Sequence, residues 1–167
     1  MAVSDLIAGT VIDSLEFARS GGVLERSVRL DELPRLADVL ATTTGLMSVR
    51  LEGWRDDKGR SWLEVNISGE PELHCQRCLR GVKFPLAISS RLQLIGPGEE
   101  WPDDDLVDDG ADAIEAEKAL AVIPLIEEEV LLALPIAPRH RQCDLPSGDA
   151  IEQGPSPFAV LAALKRH

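Results

Sequence analysis

Leu46-Met47-Ser48-Val49-Arg50-Leu51-Glu52-Gly53-Trp54-Arg55, then Asp56-Asp57-Lys58-Gly59, then Arg60-Ser61-Trp62-Leu63-Glu64-Val65-Asn66-Ile67-Ser68-Gly69 is the stretch that decides the fold. Met47, Val49 and Leu51 alternate with Arg50, Glu52 and Trp54, and Leu63, Val65 and Ile67 alternate with polar neighbours. A period of two puts each apolar set on one face of a strand. Asp-Asp-Lys-Gly between them is a turn ending in Gly, so the pair reads as a β-hairpin. Trp54 and Trp62 then fall as cross-strand neighbours beside the turn.

Outward from this hairpin, Val23 to Leu30 alternates and reads as a half-buried strand before it. Leu73 to Cys75 and Val82 to Ile95 read as strands after it, joined through Cys75-Gln76-Arg77-Cys78, which completes an antiparallel meander. Val11-Ile12 opens a short strand, and Asp13 or Ser14 caps a turn through Phe17. Leu33, Leu36, Ala37 and Leu40 recur at helical spacing, so Asp31 to Ala41 is expected as a helix capped by Asp31, with Pro34 in its first turn. A second helix is expected over Ala113 to Leu134. Ile123, Ile126, Val130 and Leu134 would share its buried face, with Glu127, Glu128 and Glu129 mostly outward. Pro124 must start or kink it, and Pro135 ends it. A last short helix is expected from Phe158 to Lys165. The expectation is an α+β fold: an antiparallel meander or small barrel-like sheet with a few packing helices.

The 167 residues fit one domain, 1–167, and are 44% apolar but poor in aromatics, so the core must rest on Leu, Val, Ile and Ala. No apolar run reaches the roughly 20 residues of a membrane span. Met1 to Thr10 has neither a basic n-region nor transit-peptide character, which points to a cytoplasmic protein and no membrane partner. The net charge of −12 argues against tight non-specific nucleic-acid binding. That charge is uneven, however. Eight carboxylates and no base lie between Glu99 and Asp112, and the segment 96–112 is expected to be a flexible, solvated loop carrying an isolated Trp101.

Cys75-Gln76-Arg77-Cys78 is the sharpest local motif. Two cysteines at this spacing in a tight loop can turn both sulfurs to one point. His140-Arg141-Gln142-Cys143 offers a second pair at the same spacing, so Cys75, Cys78, His140 and Cys143 would form a closed Cys3His site for one structural zinc ion, with His74 as a spare ligand. Two other readings stand beside it. The cysteines could be half-buried thiols in a strand connection, or a redox pair. The redox motif, however, wants a strand leading into a helix N-terminus, and here it joins two strands. Three cysteines also speak against a disulfide framework. No Gly-rich phosphate loop, nucleophile elbow or EF-hand spacing is present. No catalytic residue and no small-molecule substrate are therefore expected.

Arg77, Arg80, Lys83 and Arg91 lie around and after the CxxC loop, and Arg139, Arg141 and Lys165 could gather near it if the two half-sites meet. That would make a modest phosphate-facing strip; the competing reading is ordinary surface charge.

Ser68-Gly69-Glu70, His74-Cys75-Gln76-Arg77-Cys78-Leu79, Glu128-Glu129-Val130-Leu131-Leu132-Ala133-Leu134-Pro135-Ile136-Ala137-Pro138-Arg139-His140 and Pro155-Ser156-Pro157-Phe158-Ala159-Val160-Leu161-Ala162-Ala163-Leu164-Lys165, in this order and spacing, resemble the YceD family. Ser156 departs from the Asn more typical before Pro157. The resemblance implies a bacterial, non-enzymatic ribosome-biogenesis factor. Such a factor would support accumulation or processing of large-subunit ribosomal RNA by binding the RNA precursor or a ribosomal protein. The alternatives from other classes are a thiol-redox CxxC enzyme and a zinc-stapled protein-interaction module.

Overall fold

The computed structural model describes residues 9–102 and 111–143. In chain order the elements are β1 (Val11–Ile12), α1 (Ser14–Arg19), β2 (Val23–Arg29), β3 (Leu46–Arg55), β4 (Ser61–Gly69), β5 (Glu72–His74), β6 (Gly81–Lys83), β7 (Leu86–Ile95), β8 (Ala111–Glu115), β9 (Leu120–Ala121) and α2 (Val122–Ala133), with two 3₁₀ turns at Leu30–Glu32 and Pro34–Leu36. The architecture is α+β.

The expected hairpin is the spine of the molecule. β3 and β4 pair antiparallel from Met47↔Gly69 to Arg55↔Ser61. The turn closes with the Asp56 N–H donating to the Arg60 carbonyl at 3.0 Å, and Gly59 takes the left-handed conformation (φ 80°) that the turn requires. Trp54 and Trp62 stack across the strands with centroids 6.3 Å apart. β2 adds to one side and β7 to the other, both antiparallel, and β8 runs parallel to β7, giving the order β2-β3-β4-β7-β8. The sheet stays open at β2 and β8; it is no closed barrel.

The meander is interrupted. Among the strands, β5 and β6 pair only with each other, Glu72↔Lys83 to His74↔Gly81, and form a separate ribbon inserted between β4 and β7. Pro85 explains the break in the expected Val82–Ile95 strand: it has no N–H to give a ladder, so β6 stops before it and β7 starts after it.

One face of the large sheet is the core. Val28, Met47, Val49, Leu51, Leu63, Val65, Ile67, Leu92 and Leu94 are buried there, beneath α1, α2 and the 3₁₀ turns. Asp13 caps α1, its carboxylate accepting from the Glu16 N–H at 3.0 Å. α1 comes very close at Gly53, where a Cβ would stand 2.8 Å from a Phe17 ring carbon and 2.9 Å from the Ala18 Cα.

Two expected helices are corrected. Asp31–Ala41 is not a helix. Leu33, preceding Pro34, is held out of the helical region (φ −114°, ψ 74°), so the chain makes two short 3₁₀ turns, and Arg29 rather than Asp31 precedes the first. The segment then peels away to pair with β5: Ala41 N–H donates to the Glu72 carbonyl, His74 N–H donates to the Val39 carbonyl, and Leu40 bridges Leu73. Leu33, Leu36 and Leu40 are buried as expected, while Ala37 is exposed. Ala113–Leu134 is likewise divided. Ala111–Glu115 is strand β8, and the helix begins only at Val122, with Pro124 in its first turn. It ends before Pro135 as expected.

Glu127 and Glu129 are buried rather than outward. Glu127 accepts from the Arg35 N–H at 2.7 Å, and Glu129 accepts from the Ser90 hydroxyl. Both carboxylates are satisfied by donors on elements packed against α2, which is what lets them leave water.

Of the expected acidic loop, residues 103–110 lie outside the described residues; within the rest, Ala111 and Asp112 already belong to β8, and Trp101 is exposed. The expected helix from Phe158 to Lys165 lies outside them entirely. No helix among the described residues is long and apolar enough to cross a membrane.

Candidate metal centre and its basic rim

The β5–β6 ribbon ends in the loop Cys75–Arg80, and the segment after α2 returns to meet it. The loop is a tight knuckle. Cys75 N–H donates to the Arg80 carbonyl at 2.8 Å, and Leu79 N–H donates to the Cys75 carbonyl at 2.9 Å. This closure forces Leu79 into the left-handed region (φ 62°), the one such non-glycine among the described residues. The returning segment is tied on by the Gln76 N–H, which donates to the Pro138 carbonyl at 2.8 Å.

The two expected half-sites therefore come together. Ligating atoms of Cys75, Cys78, His140 and Cys143 all lie within 4.8 Å of one another. The Cys75 and Cys143 sulfurs are 3.9 Å apart, and Cys78 Sγ is 3.4 Å from His140 Nδ1. A tetrahedron with metal–sulfur bonds of about 2.3 Å and a metal–nitrogen bond of about 2.1 Å has edges of roughly 3.5–3.8 Å. The 3.9 Å and 3.4 Å separations are close to those edges and far beyond a disulfide bond, and all three cysteines are free, so the set is compatible with a metal site. Cys75 and Cys78 are buried, with His140 and Cys143 half-buried. His74, the spare ligand, is exposed and stands outside the set.

The surroundings prepare the donors. His140 Nε2 lies 2.9 Å from the Gly81 carbonyl. A carbonyl only accepts, so Nε2 carries a proton, and Nδ1 is the nitrogen that faces the cluster, available as a ligand in the neutral ring. Burial opposes ionisation of Cys75, but N–H groups of Cys78, His140 and Arg77 aim at its sulfur and hold the thiol at about 5. Cys78 is lowered first by the Arg80 N–H, against burial, with the Arg80 side chain adding to it. His140 is raised, chiefly by its bond to Cys75. Cys143 is pushed up by burial and by its two thiolate neighbours. Three sulfurs thus compete for too little positive charge, a deficit that a soft divalent cation in their midst would relieve.

The same closure assembles part of the basic strip. Arg77 and Arg80 lie in the knuckle, while Arg139 and Arg141 flank His140, and all four are exposed. Among the described residues none of the four is in a salt bridge. Lys83 sits on β6 and pairs with Glu70 at 3.4 Å. Arg91 is not in this ribbon: it lies on β7, registered against Glu64 of β4 and Ala111 of β8. Lys165 lies outside the described residues. Leu79 was missed in the sequence. The only signal was its position directly after the second cysteine of a knuckle, where the turn demands a left-handed residue.

A family model described as large ribosomal RNA subunit accumulation protein YceD matches residues 63–165. A protein of that description from Haemophilus influenzae is 26% identical over 148 residues, covering 81% of this chain and 83% of its own length. An uncharacterized protein, YlbN of Bacillus subtilis, is 30% identical over 113 residues, or 67% of this chain, and the chain spans only 61% of that relative. No solved structure matches. The family match takes in more than half of the chain and contains all four cluster residues, and on that ground this chain belongs to the YceD family of large ribosomal RNA subunit accumulation proteins.

Proposed function

We propose that this chain is a non-enzymatic, cytoplasmic factor that supports accumulation of large-subunit ribosomal RNA by binding the RNA precursor through the basic rim of a zinc-stapled knuckle. The observation that carries the reading is the meeting of Cys75 and Cys78 with His140 and Cys143. The closed four-donor set fits zinc, which leaves no open position for a catalytic water. The zinc acts as a staple: it holds Arg77 and Arg80 beside Arg139 and Arg141 on a protein that is otherwise acidic. Four guanidiniums on one rim supply phosphate contacts, while the net charge of −12 disfavours indiscriminate binding elsewhere on the surface.

The test is charge reversal away from the sulfurs. Arg77→Glu with Arg141→Glu should leave zinc content and thermal midpoint unchanged. It should also release the protein from precursor particles of the large ribosomal subunit in sucrose gradients. Unchanged co-sedimentation would refute the RNA-facing rim.

A second reading has one observation in its favour: the Cys75 thiol is held at about 5, and a sulfur partner lies 3.9 Å away. A thiol-redox enzyme would turn over a disulfide substrate and lose that turnover in Cys75→Ser. Bound zinc with no turnover eliminates it.

A further inference from the structure

Leu79 is an anomaly in a chain that uses glycine at every other left-handed position among the described residues. A leucine side chain clashes with its own backbone there, and glycine would relieve it. The side chain gains little from the fold in return, because it is 66% exposed at the tip of the knuckle. On the segment tied to that knuckle through Pro138, Ile136 is fully exposed as well. A strained residue that contributes little packing points to a contact made outside the chain.

The surroundings say what kind. Leu79 lies between Arg77 and Arg80, with Arg139 and Arg141 on the adjoining segment. An apolar tip on a loop and adjoining segment that carry four exposed arginines matches a ligand with anionic backbone and exposed flat apolar faces. Paired RNA hides its bases in the stack and offers side chains mainly phosphates and hydroxyls, whereas unpaired RNA splays its bases out. We infer that the knuckle recognises an unpaired RNA segment, with Leu79 seated against a splayed base while the surrounding arginines hold the flanking phosphates. This rests on the RNA reading proposed above and deepens it, by making Leu79 the residue that separates unpaired from paired RNA.

The experiment uses the full chain loaded with zinc and an RNA of mixed sequence of about 12 nucleotides, either single-stranded or annealed to its complement. Wild-type protein should bind the single strand more tightly than the duplex. Leu79→Gly, which suits the left-handed backbone, should keep its zinc and gain in thermal midpoint. It should nevertheless bind the single strand about five- to tenfold more weakly, with duplex binding unchanged. Leu79→Asn, also compatible with this backbone, should behave as Leu79→Gly does. Equal single-strand binding by wild type and both variants would overturn the inference while leaving the arginine rim standing. Failure of the wild type to bind either RNA would overturn the rim and this inference together.

Discussion

The Gln76 N–H and the Pro138 carbonyl, 62 residues apart in the chain, meet at 2.8 Å and lock the β5–β6 knuckle to the segment that follows α2. Both cluster pairs lie within five residues of this bond: Cys75 and Cys78 on one strand of it, His140 and Cys143 on the other. The fold brings the two pairs together through this joint and through His140 Nε2, which lies 2.9 Å from the Gly81 carbonyl.

His140 is held for its role by Gly81. Replacing His140 with Ala removes a ligand and leaves three sulfurs around an incomplete shell. Zinc content should fall from about one ion per chain to well below stoichiometric, measured by elemental analysis after dialysis against a mild chelator. His140→Ala should also lower the thermal midpoint, because the joint loses its staple.

Glu127 offers a test inside the core. Its carboxylate accepts from the backbone N–H of Arg35 at 2.7 Å and sits on a nearly fully buried side chain. Glu127→Ala should cost about 1–3 kcal/mol in chemical denaturation by taking the acceptor from the Arg35 N–H, beyond any cavity effect. Glu127→Gln keeps an acceptor oxygen at the same place and should recover much of that loss.

Gly53 tests the approach of α1. A methyl group there meets the Phe17 ring and the Ala18 backbone at under 3 Å. Gly53→Ala should destabilise the protein by about 1–3 kcal/mol through overpacking, even though alanine suits a strand better than glycine. A neutral result would mean that α1 can shift outward freely.

The hairpin turn has a pH signature. Burial raises the Asp56 carboxyl, but the Trp62 indole and the Arg60 guanidinium and N–H donate to it and bring it down to about 2. The unfolded value is about 3.9, so the ionised form is favoured by folding. The resulting stability is fully present above about pH 4 and is lost as the pH falls through about 2. Asp56→Asn should therefore lower the thermal midpoint at pH 6. Its difference from wild type should shrink steadily as the pH approaches 2.

Much of this was legible in the sequence, for identifiable reasons. β3 and β4 alternate cleanly because one face is buried and the other is not, and Asp56 to Gly59 carries its own turn chemistry. The cluster was legible because two pairs share one spacing, which chance arrangement of three cysteines and three histidines rarely gives. What misled was local pattern satisfied by another structure. Leu33, Leu36 and Leu40 are buried, as a helix would require, but by two 3₁₀ turns and a bridge. The break at Phe84-Pro85 separates a ribbon from the sheet, and only the long-range register of β4 with β7 reveals it. Glu127 and Glu129 read as solvent-facing because their partners, Arg35 and Ser90, are remote in sequence.

The most direct test of the account is the metal content of the purified full chain, with Cys75→Ser alongside. The expected result is about one zinc per chain in the wild type, lost in the variant together with binding to large-subunit precursor particles. A metal-free wild type whose three thiols all titrate freely would contradict the account, because nothing would then staple Arg77 and Arg80 to Arg139 and Arg141.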